Sequence, residues 1–303
     1  MAQGSKVPSH GRHRILRGFA FAGLVVAVLA TLSAITYPLL PTTTNGLYAP
    51  YIYGYRLMSE DSLDVFIIGD SSAQCTVAPQ VMQSVSGISS YNSSSPLQTA
   101  AVSAEVTTEM FSYQNPKVVI YDVNNIFRDT SATTAVETIA QQVVPVLRYH
   151  DNWKRILAGT VETGGNALTS DLGFHPKTDV VPYTGGDYMS KTTSGAFLSF
   201  WARVYLKWMQ RVCAEHGATL ILISSPNAKE WNDARHDVIA DYAQENGLTY
   251  LDFNTAECDA GIDWASDTRD GGEHLNVAGA TKVSTWLATW LAQNKGVGTV
   301  SAS

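Results

Sequence analysis

The chain has 303 residues, of which 45% are hydrophobic and 16% are charged, and its formal net charge is −7. These values are typical of a globular protein and exclude a largely disordered one. They also argue against a nucleic-acid partner, because Lys and Arg are scattered along the chain apart from one cluster near its start.

A basic segment precedes a long uncharged run at the N-terminus. Residues 18–40 carry no charge, and about 20 helical residues are enough to cross the core of a bilayer. Basic residues before such a run indicate that the N-terminus is cytoplasmic. We therefore expect a cytoplasmic tail at 1–17, a transmembrane signal anchor at 18–40, and an extracytoplasmic domain held at the cell membrane. A cleaved signal peptide is the alternative, although the run is long for one and no A-x-A site closes it. The basic residues of the tail are Lys6, Arg12, Arg14 and Arg17.

Strand-like and helix-like segments alternate through the rest of the chain. We expect a connector at 41–60, one catalytic domain at 61–295 with an insertion at 126–194, and a disordered tail at 296–303. The insertion has no strong strand pattern and is rich in Gly, Thr and Pro, as is typical of segments that build the substrate side of a pocket. The expected strands are Asp64–Gly69, Lys117–Val123, Thr219–Ser224, Leu248–Phe253 and, more weakly, Ile88–Ser93.

Helix-like stretches lie between these strands, and two of them end at a glycine. Gly217 and Gly247 each stand just before an apolar run, where a glycine caps the end of a helix. Strands that alternate with helices predict an α/β fold of three layers, with a central parallel sheet of about five strands. The expected helices are 77–86, 97–113, 195–216, 229–246 and 277–294.

The first chemical motif is DVFIIGDSS, in which an apolar strand runs into Ser71. A serine in this position lies at the carboxyl end of a parallel sheet, where α/β enzymes place their chemistry. Its hydroxyl becomes a useful nucleophile only when a base accepts its proton. Ser71 is therefore the predicted nucleophile, with Ser72 as the competing candidate, and Asp70 is expected to cap the helix that follows.

The second motif is DTRDGGEHLNVAGA, near the C-terminus, which supplies the other two groups of a catalytic triad. His274 is the predicted base, and an acidic residue must then hold its imidazole in the useful tautomer. Asp270 is the predicted acid. Asp267 is the alternative acid, and Glu273 is a further candidate.

Acyl transfer also needs hydrogen-bond donors for the oxyanion that forms on the attacked carbonyl. The backbone N–H of Ser71 is one predicted donor, and the side-chain amide of Asn124, just after a strand, is a second. Asn125 is the alternative to Asn124. A backbone N–H near Ser93 or Ser94, in the YNSSSP segment, is the third.

The remaining reactive residue types give no cofactor signal. The cysteines Cys75, Cys213 and Cys258 have no zinc-site spacing, although an extracytoplasmic location permits a Cys213–Cys258 disulfide. We expect Cys75 to be a buried apolar thiol. No metal-ligand motif and no nucleotide-binding glycine pattern is present, so neither a metal nor a cofactor is predicted.

These motifs resemble those of the SGNH/GDSL superfamily of esterases and acyltransferases. IIGDSS is similar to its first block, YNSSSP and VNN stand in the places of the second and third, and DGGEHLNVAGA is similar to the fifth. The superfamily usually has its acid three residues before the histidine, where this chain has Gly271.

The overall plan is similar to that of membrane-anchored members of the superfamily, the D-alanine transfer protein of teichoic acids and the alginate O-acetylation proteins. The resemblance implies the flavodoxin-like SGNH fold and a serine-dependent acyl-ester enzyme of the cell envelope. Its reaction would be O-acyl, in particular acetyl, transfer to or removal from an extracellular glycan. The implied partners are that glycan or an acyl donor, and a membrane-bound acyl exporter. The alternative is a catalytically inactive glycan-binding or assembly protein.

Overall fold

A computed structural model describes residues 9–36, 52–128, 168–191 and 196–299, together with a few single positions between 133 and 147. Parts of the expected connector, insertion and C-terminal tail therefore lie outside the described residues, as do 1–8 of the basic tail and 37–40 of the expected anchor. The strands are β1 (Val65–Ile68), β2 (Ser90–Asn92), β3 (Val118–Asp122), β4 (Thr219–Ser224) and β5 (Thr249–Asp252). The α-helices are α1 (Ser9–Thr36), α2 (Ser71–Thr76), α3 (Pro79–Ser86), α4 (Ala100–Met110), α5 (Phe200–Glu215), α6 (Asp233–Asn246) and α7 (Val277–Lys295).

The chain divides into two compact units. One comprises 1–40 and 137–163, and the other comprises 41–136 and 164–303. The structure describes 126–128, 168–191 and a few single positions of the expected insertion 126–194, and the rest of that segment lies outside the described residues. Within α1, the stretch Arg14–Ile35 has a mean hydropathy of 2.3. Among the described residues it is the one helix long and apolar enough to cross a membrane, and most of its described side chains are exposed.

The second unit is built on the predicted parallel sheet. Its five strands have the order β2-β1-β3-β4-β5, and every neighbouring pair is parallel. Side chains alternate across the strands, so that Val65 and Ile67 of β1 face one side and Phe66 and Ile68 face the other. Helices α2, α3 and α7 cover the first side, and α4, α5 and α6 cover the second. The three-layer α/β/α fold is confirmed. Because all the strands are parallel, their carboxyl ends lie at the same edge of the sheet.

Local signals in the sequence explain how the helices end. Gly247 caps α6 in the left-handed conformation at φ +63°, and Gly217, which follows α5, has φ +72°. Both angles favour glycine because other residues meet a steric penalty there. The two predicted helix stops are therefore placed correctly.

The structure corrects the expected tail and decides whether the permitted disulfide forms. The expected disordered tail begins at 296, but Val297 is 1% exposed and the Thr299 N–H donates to the Ser86 carbonyl at 2.7 Å, so the chain is fastened as far as residue 299. Residues 300–303 lie outside the described residues. The permitted Cys213–Cys258 disulfide is absent, since both thiols are free and they pack on opposite sides of the sheet.

Candidate active site

Ser71 is presented by a tight turn at the carboxyl end of β1. It is the first residue of α2, and Asp70 caps this helix by accepting the Ser72 N–H at 2.8 Å. Gly69 makes the turn fit, because a Cβ built there would lie 2.8 Å from the Cβ atoms of both Ala73 and Asp122. The strand, the glycine and the cap together place the Ser71 hydroxyl at the edge of the sheet.

His274 and Asp270 lie in the loop before α7, and a pair of glycines shapes that loop. Gly271 has φ +79° and Gly272 has φ +104°, which lets the chain fold back within five residues. One carboxylate oxygen of Asp270, Oδ1, accepts the His274 N–H at 2.9 Å and the Glu273 N–H at 3.1 Å. The additional residue between acid and histidine is therefore absorbed by the turn.

The structure joins the predicted triad through two short contacts. The His274 Nε2 lies 2.9 Å from the Ser71 Oγ, and its Nδ1 lies 2.6 Å from the Asp270 Oδ2. Burial would raise the pKa of Asp270, but the hydrogen bonds from the ring and backbone of His274 outweigh it and hold that pKa below its ordinary value. An ionised Asp270 fixes the proton on Nδ1 and leaves the Nε2 lone pair facing the serine. This arrangement can move a proton from a hydroxyl to an imidazole.

The competing candidates are engaged elsewhere. Asp267 is 3% exposed in its side chain, and its Oδ2 lies 2.6 Å from the Lys282 Nζ and accepts the Asp263 N–H at 2.7 Å. The Glu273 carboxylate faces Lys229 at 3.9 Å. Ser72 is buried, and the histidine contacts Ser71 instead.

The predicted oxyanion donors separate into two groups. The Ser94 N–H is donated to the Asn92 Oδ1 at 3.2 Å, and the Ser93 N–H to the Ile67 carbonyl at 2.7 Å. Both serines lie just after β2 and both N–H groups are already bonded within the protein, so neither is free to serve as the predicted oxyanion donor. Asn125 is also committed, since its amide donates to the Gln98 carbonyl at 2.7 Å.

The side-chain amide of Asn124 is only partly used. Its Nδ2 donates one hydrogen to the Ser225 carbonyl at 3.3 Å, and its Oδ1 is buried without a hydrogen-bond partner among the described residues. An amide carries two donor hydrogens. The Ser71 N–H and the second Asn124 hydrogen therefore stay as the predicted oxyanion donors.

Two buried carboxylates lie directly behind the serine. Asp70 and Asp122 are both 0% exposed. Burial, reinforced by the charge of Asp70, raises the pKa of Asp122 to about 7, and its oxygens accept the Asn124 N–H at 2.9 Å and the Ser225 hydroxyl. Burial also raises the pKa of Asp70, against the attraction of the Arg128 guanidinium, whose Nη1 lies 3.1 Å from it. Sequence reasoning missed Arg128, since nothing in the sequence pairs it with a residue 58 positions earlier.

A cavity of about 440 Å³ opens beside Ser71. Residues 169–176 of the expected insertion form one side of it, which agrees with the role predicted for that segment. Its lining includes Gln74, Pro96, Asp171, His175 and Arg269. Arg269 stands next to the catalytic acid, and no signal in the sequence indicates its place in this cavity.

Three groups of the catalytic loop could in principle ligate a metal ion. Ligand atoms of Asp270, Glu273 and His274 lie within 4.8 Å of one another. However, the two ring nitrogens of His274 are already bonded to Asp270 and Ser71. A metal here would have to break the hydrogen-bond chain, so these residues fit a proton relay better than a metal centre.

Comparisons with solved structures return proteins described as lipolytic proteins, acylhydrolases and esterases. No family model matches the chain, and no curated protein matches it. A solved structure from Desulfitobacterium hafniense DCB-2, described as a lipolytic protein of the G-D-S-L family, is similar at 15% identity and a TM-score of 0.42, covering 74% of this chain and 97% of its own. The lipase/acylhydrolase of Enterococcus faecalis is similar at 12% identity and a TM-score of 0.43, covering 80% and 100%. The Clostridium thermocellum family 3 carbohydrate esterase is similar at 12% identity and a TM-score of 0.39, covering 78% and 99%.

At TM-scores below 0.5 these similarities decide nothing about the chemistry of this chain. Its function must therefore be argued from the contacts of Ser71, His274 and Asp270.

Proposed function

We propose that this protein is a serine-dependent acyl-ester enzyme of the SGNH/GDSL type. The observation that carries the proposal is the continuous chain of contacts from the Asp270 carboxylate through His274 to the Ser71 hydroxyl, at 2.6 and 2.9 Å. These distances are those expected of a nucleophile, a base and the group that orients the base. The adjoining cavity gives an ester room to approach the serine.

The proposed reaction has two halves. In the first, the His274 Nε2 takes the proton of Ser71 as Oγ attacks the acyl carbonyl, and the bond to the leaving alkoxide breaks as His274 returns that proton to it. In the second, water or a sugar hydroxyl gives its proton to His274 and attacks the acyl-serine, and the bond from the acyl carbon to Oγ breaks as His274 returns that proton to the Ser71 Oγ, which releases the acid or the new ester. The Ser71 N–H and the Asn124 amide would stabilise the oxyanion in both halves.

The finer proposal concerns location and substrate. The apolar helix α1 supports a single-pass anchor, and the basic residues before it support a cytoplasmic N-terminus with the catalytic unit outside the cell. An acyl-ester enzyme held there would meet the O-acylated glycans of the envelope. We infer acetyl transfer to, or removal from, such a glycan, and a transferase would need a membrane-bound partner to export the acyl group.

The first experiment tests the nucleophile. The full-length chain in detergent is assayed with 4-methylumbelliferyl acetate and labelled with a fluorophosphonate. The Ser71→Ala variant should lose turnover by about 10³-fold or more and lose the label, because no other group can form the acyl intermediate. Ser72→Ala is the matched control and should retain both. Equal turnover by wild type and Ser71→Ala would overturn the proposal.

A second experiment separates transfer from hydrolysis. The wild-type protein is given the same acetyl donor with and without a high concentration of an acceptor saccharide. A transferase should form acetylated saccharide at the expense of free acetate, whereas a hydrolase should release acetate at the same rate in both mixtures.

The non-catalytic alternative finds no support in the site. The sequence feature behind that alternative is that Asp270 stands four residues before His274, where the superfamily usually has its acid three before. Asp270 contacts His274 despite this difference in spacing. An inactive glycan-binding protein would still bind saccharide after loss of Ser71 and would never take the fluorophosphonate label, so the first experiment tests it as well.

A further inference from the structure

Arg269 is a charged side chain of the catalytic cavity for which the described part of the chain provides no close acceptor. Its side chain is 18% exposed, and it lines the same cavity as Ser71. Its Nη1 is buried and has no hydrogen-bond partner among the described residues. Its Nε lies 3.9 Å from the Asp270 Oδ2, which is beyond hydrogen-bond distance. The fold has thus largely removed a guanidinium from water without giving it a close acceptor.

Support of the catalytic acid does not explain this arrangement. Both oxygens of Asp270 are already engaged, Oδ2 by the ring of His274 and Oδ1 by two backbone N–H groups. A buried charge without hydrogen bonds is costly, and a guanidinium offers five donors in a planar fork that matches a carboxylate. An acceptor supplied from outside the chain would offset that cost.

The charges around the cavity favour an anion near Arg269. Burial lowers the pKa of His175, and so do the positive charges of Arg269 and Lys177. The charge of Asp171 raises the same pKa by less. Asp171 is the acidic group of the cavity lining outside the catalytic loop, and its Oδ2 accepts the Ser170 hydroxyl at 3.5 Å. Arg269 is therefore the cationic side chain of this cavity lining, beside the serine that would be acylated.

We propose that Arg269 is a specificity residue that binds a carboxylate of the substrate next to the ester under attack. This inference rests on the proposed function and narrows its substrate class to anionic esters. The carboxylate could belong to either side of the ester, as a uronic acid that carries the acyl group or as the free end of a dicarboxylic acyl chain. Both place the same chemistry against the guanidinium, and the experiment distinguishes them.

The experiment compares matched esters on the full-length protein. On the alcohol side, O-acetylated methyl glucuronide is compared with O-acetylated methyl glucoside by acetate release. On the acyl side, 4-methylumbelliferyl hemisuccinate is compared with the acetate. Each is measured with wild type, with Arg269→Gln, and with Arg211→Gln, which removes the same charge from an exposed position paired with Glu215.

Wild type should prefer the anionic member of one pair, and Arg269→Gln should reduce that preference in kcat/KM by about 10- to 100-fold, the effect of losing a hydrogen-bonded charge pair. Arg211→Gln should leave the preference unchanged. The pair that responds identifies the side of the ester that carries the carboxylate. No anionic preference in wild type, or the same preference in Arg269→Gln, would overturn the inference and leave the proposed function standing.

Binding measurements keep the two proposals separable. Glucuronate and succinate are titrated by calorimetry into Ser71→Ala and into the Ser71→Ala/Arg269→Gln double variant. Loss of binding only in the double variant supports the role of Arg269 even if no ester is turned over, which would count against the proposed function alone. If Arg269→Gln does not fold, competitive inhibition of wild type by glucuronate but not by glucose supports the inference, and equal inhibition by the two contradicts it.

Discussion

Replacing Asp270 by asparagine tests how the triad works. In the wild type, the Asp270 carboxylate accepts the His274 Nδ1–H at 2.6 Å and so leaves the Nε2 lone pair directed at the Ser71 hydroxyl, 2.9 Å away. An asparagine amide in the same place can donate to Nδ1, which favours the tautomer with the proton on Nε2. In that tautomer Nε2 cannot accept the serine proton, so the substitution removes the base without removing the histidine.

The size of the effect follows from two contributions. Loss of a hydrogen bond to a charged group costs about 1.5–3 kcal/mol, which is about 10- to 150-fold in rate. Reversal of the tautomer adds to this, because the proton must be moved from Nε2 back to Nδ1 before each attack. We therefore expect kcat for an acetyl ester to fall by about 10³- to 10⁴-fold in Asp270→Asn, with a smaller change in KM.

The matched control is Asp267→Asn, which changes the alternative acid of the same loop. Asp267 binds Lys282 and the Asp263 N–H, so its loss should lower the melting temperature while kcat of the folded protein stays within about threefold of wild type. Steady-state kinetics and thermal unfolding are measured on both variants. A larger loss of kcat in Asp267→Asn than in Asp270→Asn would refute the assignment of the acid.

Three further predictions concern the frame behind the serine. Because the folded-state pKa of Asp122 is about 7, against about 4 when unfolded, the folded state binds more protons between these values and wild type loses stability as pH rises through that window. Asp122→Asn removes this loss, so its stability relative to wild type should rise by the order of 4 kcal/mol between pH 4 and pH 8 in urea unfolding, and a pH-independent difference would contradict the burial argument. Arg128→Ala leaves the buried Asp70 carboxylate without its guanidinium and should cost about 1–3 kcal/mol at pH 8, since the Arg128 side chain is 37% exposed. Because burial raises the pKa of Asp70, this cost should shrink as the pH is lowered and Asp70 is protonated, and a cost that does not depend on pH would count against it. Gly69→Ala places a Cβ 2.8 Å from that of Ala73 and should cost about 1–3 kcal/mol, measured together with a fall in kcat as Ser71 moves; an unchanged melting temperature would show that the turn can relax.

The sheet and the meeting of the triad were predictable because they depend on local patterns and one general rule. Apolar runs ended at glycines and polar turns, and even the weak segment Ile88–Ser93 contains a strand, β2, paired with β1. The carboxyl ends of parallel strands share one edge of a sheet, so a serine after β1 and a loop before the last helix are brought close. The separation of 203 residues between Ser71 and His274 was no obstacle to that inference.

The acid and the oxyanion donors could not be decided in the same way. Choosing Asp270 over Asp267 depends on the φ angles of Gly271 and Gly272, which no side-chain pattern specifies. The Ser94 N–H is bonded to the Asn92 side chain two residues earlier, whereas the Ser93 N–H is bonded to the Ile67 carbonyl of β1, and only the pairing of the strands decides that second bond. The sequence does not point to Arg128 or Arg269, because the role of an arginine depends on residues that are distant in the chain and close in space.

The strand ends also show why an aspartate in such a position is poor support for catalysis. Asp70, Asp122 and Asp252 each lie at the end of a strand or within two residues of it, and each accepts the N–H two residues later through Oδ1, at 2.8, 2.9 and 2.9 Å. These three carboxylates satisfy backbone donors where the chain turns out of the sheet, so they would be required whether or not the protein were an enzyme. An imidazole partner does not by itself set Asp270 apart, because the Asp252 Oδ2 also lies 2.7 Å from the His236 Nδ1. Asp270 differs because the second nitrogen of its imidazole partner, the His274 Nε2, lies 2.9 Å from the Ser71 Oγ. The acid that matters for function is therefore recognised by the hydroxyl that its histidine contacts, and not by its place in the sequence.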